Sequence, residues 1–155
     1  MRVVFDWMAR RTAASYGLVA EAVTLLHEQE LGLEGNTQRL LLLNTVSASR
    51  HLKLLLVSLR PDLRSDDDGA TLAALADFAA RHRPRLEAGK RSRAGYIGDV
   101  LGRALRETAG VRRLLVCVGE RRNAIAVALE QVAEHLDETR ALLSAAGRRA
   151  ADVQR

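Results

Sequence analysis

The chain of 155 residues contains one cysteine, Cys117, so no disulfide can form within it and a disulfide-braced scaffold is excluded. Aromatic residues number only five and isoleucine only two, Ile97 and Ile125. A chain so poor in the residues that strands favour is not a β protein. Proline stands only at Pro61 and Pro84, which leaves long stretches free of the strongest helix breaker. No uninterrupted apolar run approaches the roughly 20 residues needed to cross a bilayer. The leucine-rich stretch from Leu40 to Leu59 is interrupted by Asn44, Arg50, His51 and Lys53, so no membrane span is expected. Met1 to Arg11 carries Asp6 inside its apolar part and Arg10-Arg11 directly after it, the wrong order for a secretory signal. With a lone thiol, a cytoplasmic location is expected.

What the chain does hold is helix-forming stock: 26 Leu and 25 Ala make a third of it. Apolar residues reach 48%, which excludes collagen-like, low-complexity and wholly disordered chains. The fold class expected is all-α, a four- or five-helix up-down bundle with a long C-terminal heptad-patterned helix. The length fits one domain, expected over 1–147, with a frayed basic tail over 148–155.

Periodicity places the helices. Phe5, Met8, Thr12, Ser15, Val19, Ala22 and Leu26 alternate at spacings of three and four, which predicts one buried face on a first helix from about Val3 to Leu31. Gly32 to Gly35 ends it, and Asn36 or Thr37 caps the next. That second helix runs to about Leu59, with Leu42, Val46, Ser49, Leu52, Leu56 and Leu59 as its stripe. Ser65-Asp66-Asp67-Asp68-Gly69 reads as a loop and cap before a third helix carrying Leu72, Leu75, Phe78 and Ala79, closed by Pro84. After a connection at Gly89 to Arg93, a helix is expected over about Ala94 to Ala109, separated at Gly110 from the last. In the final third, Val111, Leu115, Val118, Arg122, Ile125, Leu129, Val132, Leu136, Thr139 and Leu143 keep a strict 4,3 spacing. Gly119 is the one position where that helix could break in two.

Charge is uneven. The net +5 divides into −2 over residues 1–80, +8 over 81–122 and −1 over 123–155. The basic block consists of Arg81, Arg83, Arg85, Lys90, Arg91, Arg93, Arg103, Arg106, Arg112, Arg113, Arg121 and Arg122. Such a block suits an anionic partner: phosphates of nucleic acid, an acidic protein surface or a membrane surface. Arg outnumbers Lys 22 to 2, so part of the block reflects composition alone.

Patterns for chemistry fail on spacing. The histidines His27, His51, His82 and His135 form no Glu-x-x-His motif, the element of a bundle di-metal site. His27/Glu30 and His135/Glu138 are one-turn pairs of the kind common at solvent-facing positions. Gly89-Lys90-Arg91-Ser92 resembles the end of a phosphate loop, but Pro84 occupies the position where the first glycine is required. Gly95, Gly98 and Gly102 share a helical face with Ala109 and suit close helix packing. Arg121-Arg122-Asn123 resembles the opening of the motif of HEPN-type helical ribonucleases, but Val127, Ala128 and Leu129 stand where its histidine belongs. Cys117, between Val116 and Val118, reads as a buried inert thiol. No metal, no cofactor and no enzymatic activity are expected. The reading is a non-catalytic binding or scaffold protein, a homo-oligomer, whose arginine-rich segment meets nucleic acid or another polyanionic partner. The alternative is an adaptor or small subunit of a larger complex that binds no nucleic acid.

Overall fold

The computed structural model describes residues 2–29, 31, 33, 36–89, 91–119 and 126–152; the side chains of residues 2, 117–119, 126–131 and 152 fall outside it. Every regular element in it is helical: α1 (Arg2–Glu28), α2 (Thr37–Leu59), a 3₁₀ turn (Pro61–Leu63), α3 (Asp68–His82), α4 (Arg93–Gly119) and α5 (Ala126–Asp152). The all-α class follows from the composition.

Local chemistry sets the ends. Asn36 stands at the start of α2 but makes no side-chain cap. Gln38 takes the junction instead. Its Nε2 donates to the carbonyls of Leu26 (3.0 Å) and Gln29 (2.8 Å), and its Oε1 accepts from the Leu31 amide (3.2 Å). Carbonyls that α1 leaves unpaired at its end are thereby satisfied, and the chain turns back along α1. Asp67 caps α3 by accepting from the Gly69 amide at 3.2 Å. Pro84 lies two residues past the last residue of α3, as a stop signal should. Gly89 takes φ +56°, the left-handed conformation open to glycine, in the connection to α4.

Contacts fix how the helices lie. Arg11 meets Glu107, Ser15 meets Ala104 and Glu21 meets Tyr96, so steps up α1 are steps down α4 and the two run antiparallel. Arg112 meets Asp137, and a Cβ on Gly98 would lie 3.8 Å from that of Ala150, so α4 and α5 also run antiparallel. α5 packs on both α2 and α4, α1 on α2, α3 and α4, and α3 mainly on α1. The shared core contains Leu18, Val19, Leu52, Leu55, Leu56, Ile97, Leu101, Leu136 and Leu143.

The stripe expected on α1 is buried from Met8 to Leu26. The stripe expected on α2 is one residue out of phase in its first half. Leu41, Thr45 and Ala48 are buried, while Leu42, Val46 and Ser49 are only half-buried. Four successive leucines, Leu40 to Leu43, are apolar on every side and give the pattern no phase there. On α3, Thr71 is buried and Leu72 exposed, because the Thr71 hydroxyl is held by Ser65 and Asp67 at the cap.

Gly110 does not separate two helices; α4 runs through it. The Arg11 side chain occupies the space where a Cβ on Gly110 would stand. The glycine serves close packing, at a helix-propensity cost of about 1 kcal/mol. Members of the expected heptad run are divided between α4, which ends at Gly119, and α5, which starts at Ala126. Val111, Leu115, Val132, Leu136, Thr139 and Leu143 are all buried. The segment expected to fray is helical as far as Asp152, with Ala150 buried.

Replacing fully buried Leu52 with Ala should cost about 2–5 kcal/mol, the transfer and cavity penalty of a core leucine. Leu43→Ala, at a side chain 55% exposed, should change stability by no more than about 0.5 kcal/mol. Chemical denaturation of the two variants checks this; equal losses would contradict the α2 phase described above.

Candidate anion-binding cleft

Among the described residues, the basic block does not gather on one face. Arg83 is paired with Glu21 of α1, whereas Arg112 is paired with Asp137 of α5 at 3.2 Å, so these two are directed to different helices. Arg91 is paired with Asp99 and Arg103 with Glu107 (3.0 Å). Arg81 reaches the Asp77 carbonyl and lies 5.9 Å from the Phe78 ring centre. Arg85 and Arg93 are exposed at the two ends of the α3–α4 connection. Arg106 and Arg113 are exposed two helical turns apart on α4, about 10 Å along its axis. Lys90, Arg121 and Arg122 lie outside the described residues.

Positive charge does converge elsewhere, at a cleft of about 270 Å³ lined by Trp7, Arg10, Arg11, Ala14, His82, Pro84, Arg103 and Glu107. Three separated stretches of chain build it. α1 supplies Trp7, Arg10 and Arg11 from one turn, the end of α3 supplies His82, and α4 supplies Arg103 and Glu107. Trp7, the only tryptophan in the chain, is 52% exposed. The Arg11 guanidinium sits 5.6 Å from its ring centre, within cation–π range. A second hollow of about 870 Å³ continues past Trp7 and Arg10 to Val3, Arg60 and Asp62.

The cleft has fewer carboxylates than cations. Glu107 is shared by Arg103 (3.0 Å) and Arg11 (3.9 Å). Arg10 has Asp6 at 2.8 Å, one turn back and largely in water. Exposed pairs of this kind contribute only about 0–1 kcal/mol, so they release a guanidinium readily to a competing anion. His82 packs edge-on against Phe78, with ring centres 4.7 Å apart. Burial first, then the charges of Arg10 and Arg81, push its pKa below the ordinary histidine value. Burial foremost, with the neighbouring guanidinium charges adding to it, therefore favours the neutral imidazole.

A groove of about 420 Å³ between α1 and α3 has the opposite character. Four of its ten lining residues are alanine, and its arginine, Arg83, is bound to Glu21. Glu21 also accepts from the Tyr96 hydroxyl at 2.8 Å. Burial and the Glu21 carboxylate raise the Tyr96 pKa, so the phenol remains a donor. This network is complete in itself and ties α1 to α4.

Sequence reasoning missed Trp7, Arg10 and Arg11, because the charge count ended at the segment boundary and they fall in the acidic one. The available signal was the placement of the single tryptophan one turn before an Arg-Arg pair. Among the described residues no group of three His, Cys, Asp or Glu side chains is placed to hold a metal ion. α2 is long and apolar enough by composition to cross a membrane, with Arg50, His51 and Lys53 on it. No family model, curated protein or solved structure matches the chain.

The depressed pKa of His82 has a defined sign. The folded chain binds fewer protons at His82 than the unfolded chain does. The stability that this neutral side chain contributes is present above the unfolded value of about 6.5 and is lost as pH falls from there toward the folded value. Histidine NMR titration should place His82 below the ordinary range, and Arg10→Ala should move it upward; no movement would contradict the electrostatic account.

Proposed function

We propose that the chain is a non-catalytic helical-bundle binding protein that holds a phosphate-bearing polyanion, nucleic acid foremost, in the cleft around Trp7. One observation carries this reading: a half-exposed indole stands among Arg10, Arg11 and Arg103, two of which share a single carboxylate. Guanidinium groups recognise phosphates through paired donors, and an exposed indole offers a face on which a base can stack. Arg106 and Arg113 extend the positive charge along α4, outside the cleft. His82 adds a pH dependence, because a bound anion favours its protonated form and binding tightens as pH falls.

The scaffold in this reading is an up-down arrangement of helices, with α4 and α5 carrying the heptad-spaced positions face to face. It works as a rigid frame; nothing in the cleft forms the nucleophile, base and orienter of a catalytic site. A cytoplasmic homo-oligomer is part of the same proposal. The outer face of α2 supports a second reading, that of an adaptor in a protein complex. Leu40, Leu43 and Leu54 are exposed there, more apolar surface than a solvated helix face needs.

Electrophoretic mobility shifts with single-stranded oligonucleotides across a salt series separate the two. Polyanion binding predicts affinity that falls steeply with salt, and loss of about 5- to 100-fold for Trp7→Ala, the range of one stacked base. Arg11→Ala and Arg103→Ala should each flatten the salt slope by about one unit. Affinity indifferent to salt and to Trp7→Ala would overturn the first reading and leave the α2 face as the working surface.

A further inference from the structure

The hollow of about 870 Å³ beside the cleft shares Trp7 and Arg10 with it, so the indole stands on the boundary between the two. Their chemistry differs. Exposed Val3, half-buried Phe5, the Trp7 indole and buried Leu59 give the hollow an apolar lining. Its charges balance, two against two. Arg10 meets Oδ2 of Asp6 at 2.8 Å. Arg60 donates from Nε to Oδ1 of Asp62 (2.8 Å) and from Nη2 to Oδ2 (2.7 Å), and its guanidinium lies 4.9 Å from the Phe78 ring centre. Arg60 is therefore a fixed wall, whereas Arg11 and Arg103 share one carboxylate in the cleft. A hollow with no cation in excess is poorly suited to phosphate and well suited to an uncharged planar group.

Size agrees. Pockets for organic ligands span about 300–1,000 Å³, which includes the hollow and leaves the cleft, at about 270 Å³, just below. The cleft has room for a phosphate and the hollow for a base stacked beside Trp7. What the hollow offers to a base edge is set by Asp6 and Asp62. An ionised carboxylate only accepts hydrogen bonds, at about four lone-pair sites, so each keeps capacity beyond its arginine. The Arg60 hydrogen bonds hold the Asp62 carboxyl below its ordinary range, which keeps it in the accepting form. We propose that the hollow is the base subsite of the strand held in the cleft and selects bases that carry an exocyclic amine, with Asp6 and Asp62 as acceptors. This inference rests on the nucleic-acid reading of the cleft. Cytosine, adenine and guanine carry such an amine; thymine and uracil do not. The one edge donor of thymine or uracil, N3–H, is flanked by two carbonyls, so a carboxylate approaches it against like partial charge.

The test compares labelled oligo-dC and oligo-dT of equal length, titrated with the full chain at neutral pH and one fixed salt and followed by fluorescence anisotropy. The two strands share a backbone and a ring size and differ at the base edge. Oligo-dC should bind about 5- to 100-fold more tightly, the range of one base-edge contact. The readout is the ratio of the two affinities, which cancels any general gain or loss of charge. Asp6→Asn and Asp62→Asn should each lower that ratio, and the double variant should bring it close to one. Arg103→Ala, in the cleft, should weaken both strands and leave the ratio unchanged. The unsubstituted chain alone can refute the proposal, so a variant that fails to fold does not protect it. Equal, salt-sensitive binding of the two strands, or a preference for oligo-dT, overturns the base subsite and leaves the phosphate cleft standing. A preference for oligo-dC that survives the double substitution overturns the role of the carboxylates. Binding of neither strand overturns the subsite and the nucleic-acid reading together.

Discussion

The hydrogen bond from the Ser15 hydroxyl to the Ala104 carbonyl, 3.1 Å long, marks how closely α1 and α4 run. A side chain of one Cβ and one oxygen reaches a neighbouring backbone only when the helices are near. Small residues permit this: Ala104 and Gly110 on α4, and Ala14 beside Ser15 on α1, are all buried. The bond itself contributes about 0.5–1.5 kcal/mol; the larger energy comes from the apolar surface the approach buries. Its structural consequence is register. With Ser15 opposite Ala104, Arg11 lies over Gly110 and within reach of Glu107, and Glu21 meets Tyr96 at the other end of the same contact.

Register in turn decides which arginines are spent. Glu21 takes Arg83, Asp99 takes Arg91 and Asp137 takes Arg112, one carboxylate for each guanidinium. Glu107 is the exception, since Arg11 and Arg103 approach it together from two helices. Excess positive charge therefore appears at the α1–α4 contact rather than where arginines are densest in the chain. The same contact turns Trp7 outward beside that excess, so the aromatic face and the unbalanced charge come from one packing decision.

Much of the fold could be read from the residues. Leucine and alanine content gave the class, the spacing from Met8 to Leu26 gave the buried face of α1, and Asp67 and Pro84 marked the ends of α3. Phase was lost where composition carried none: Leu40 to Leu43 are alike, and only the tertiary contacts choose Leu41 for the core. Gly110 misled because a glycine read alone signals flexibility, whereas here an arginine from another helix fills its space. The candidate site was hidden for a related reason. Trp7, Arg10 and Arg11 are about ninety positions from Arg103, and counting charge by segment assigned them to an acidic region. The meeting of Asp6 and Asp62 in one hollow is likewise a product of packing that no local motif announces.

Because Trp7 is the only tryptophan, its fluorescence reports on the cleft with no other indole contributing. The most direct measurement is titration of the unsubstituted protein with a short single-stranded oligonucleotide at low salt while following that emission. Saturable quenching that is reversed by added salt, with Arg11→Ala and Arg103→Ala displacing the curve to higher concentration, is the result predicted here. Emission that stays constant through a titration in which the oligonucleotide is bound, or that responds equally in the arginine variants, would contradict an anion-binding cleft at the α1–α4 contact.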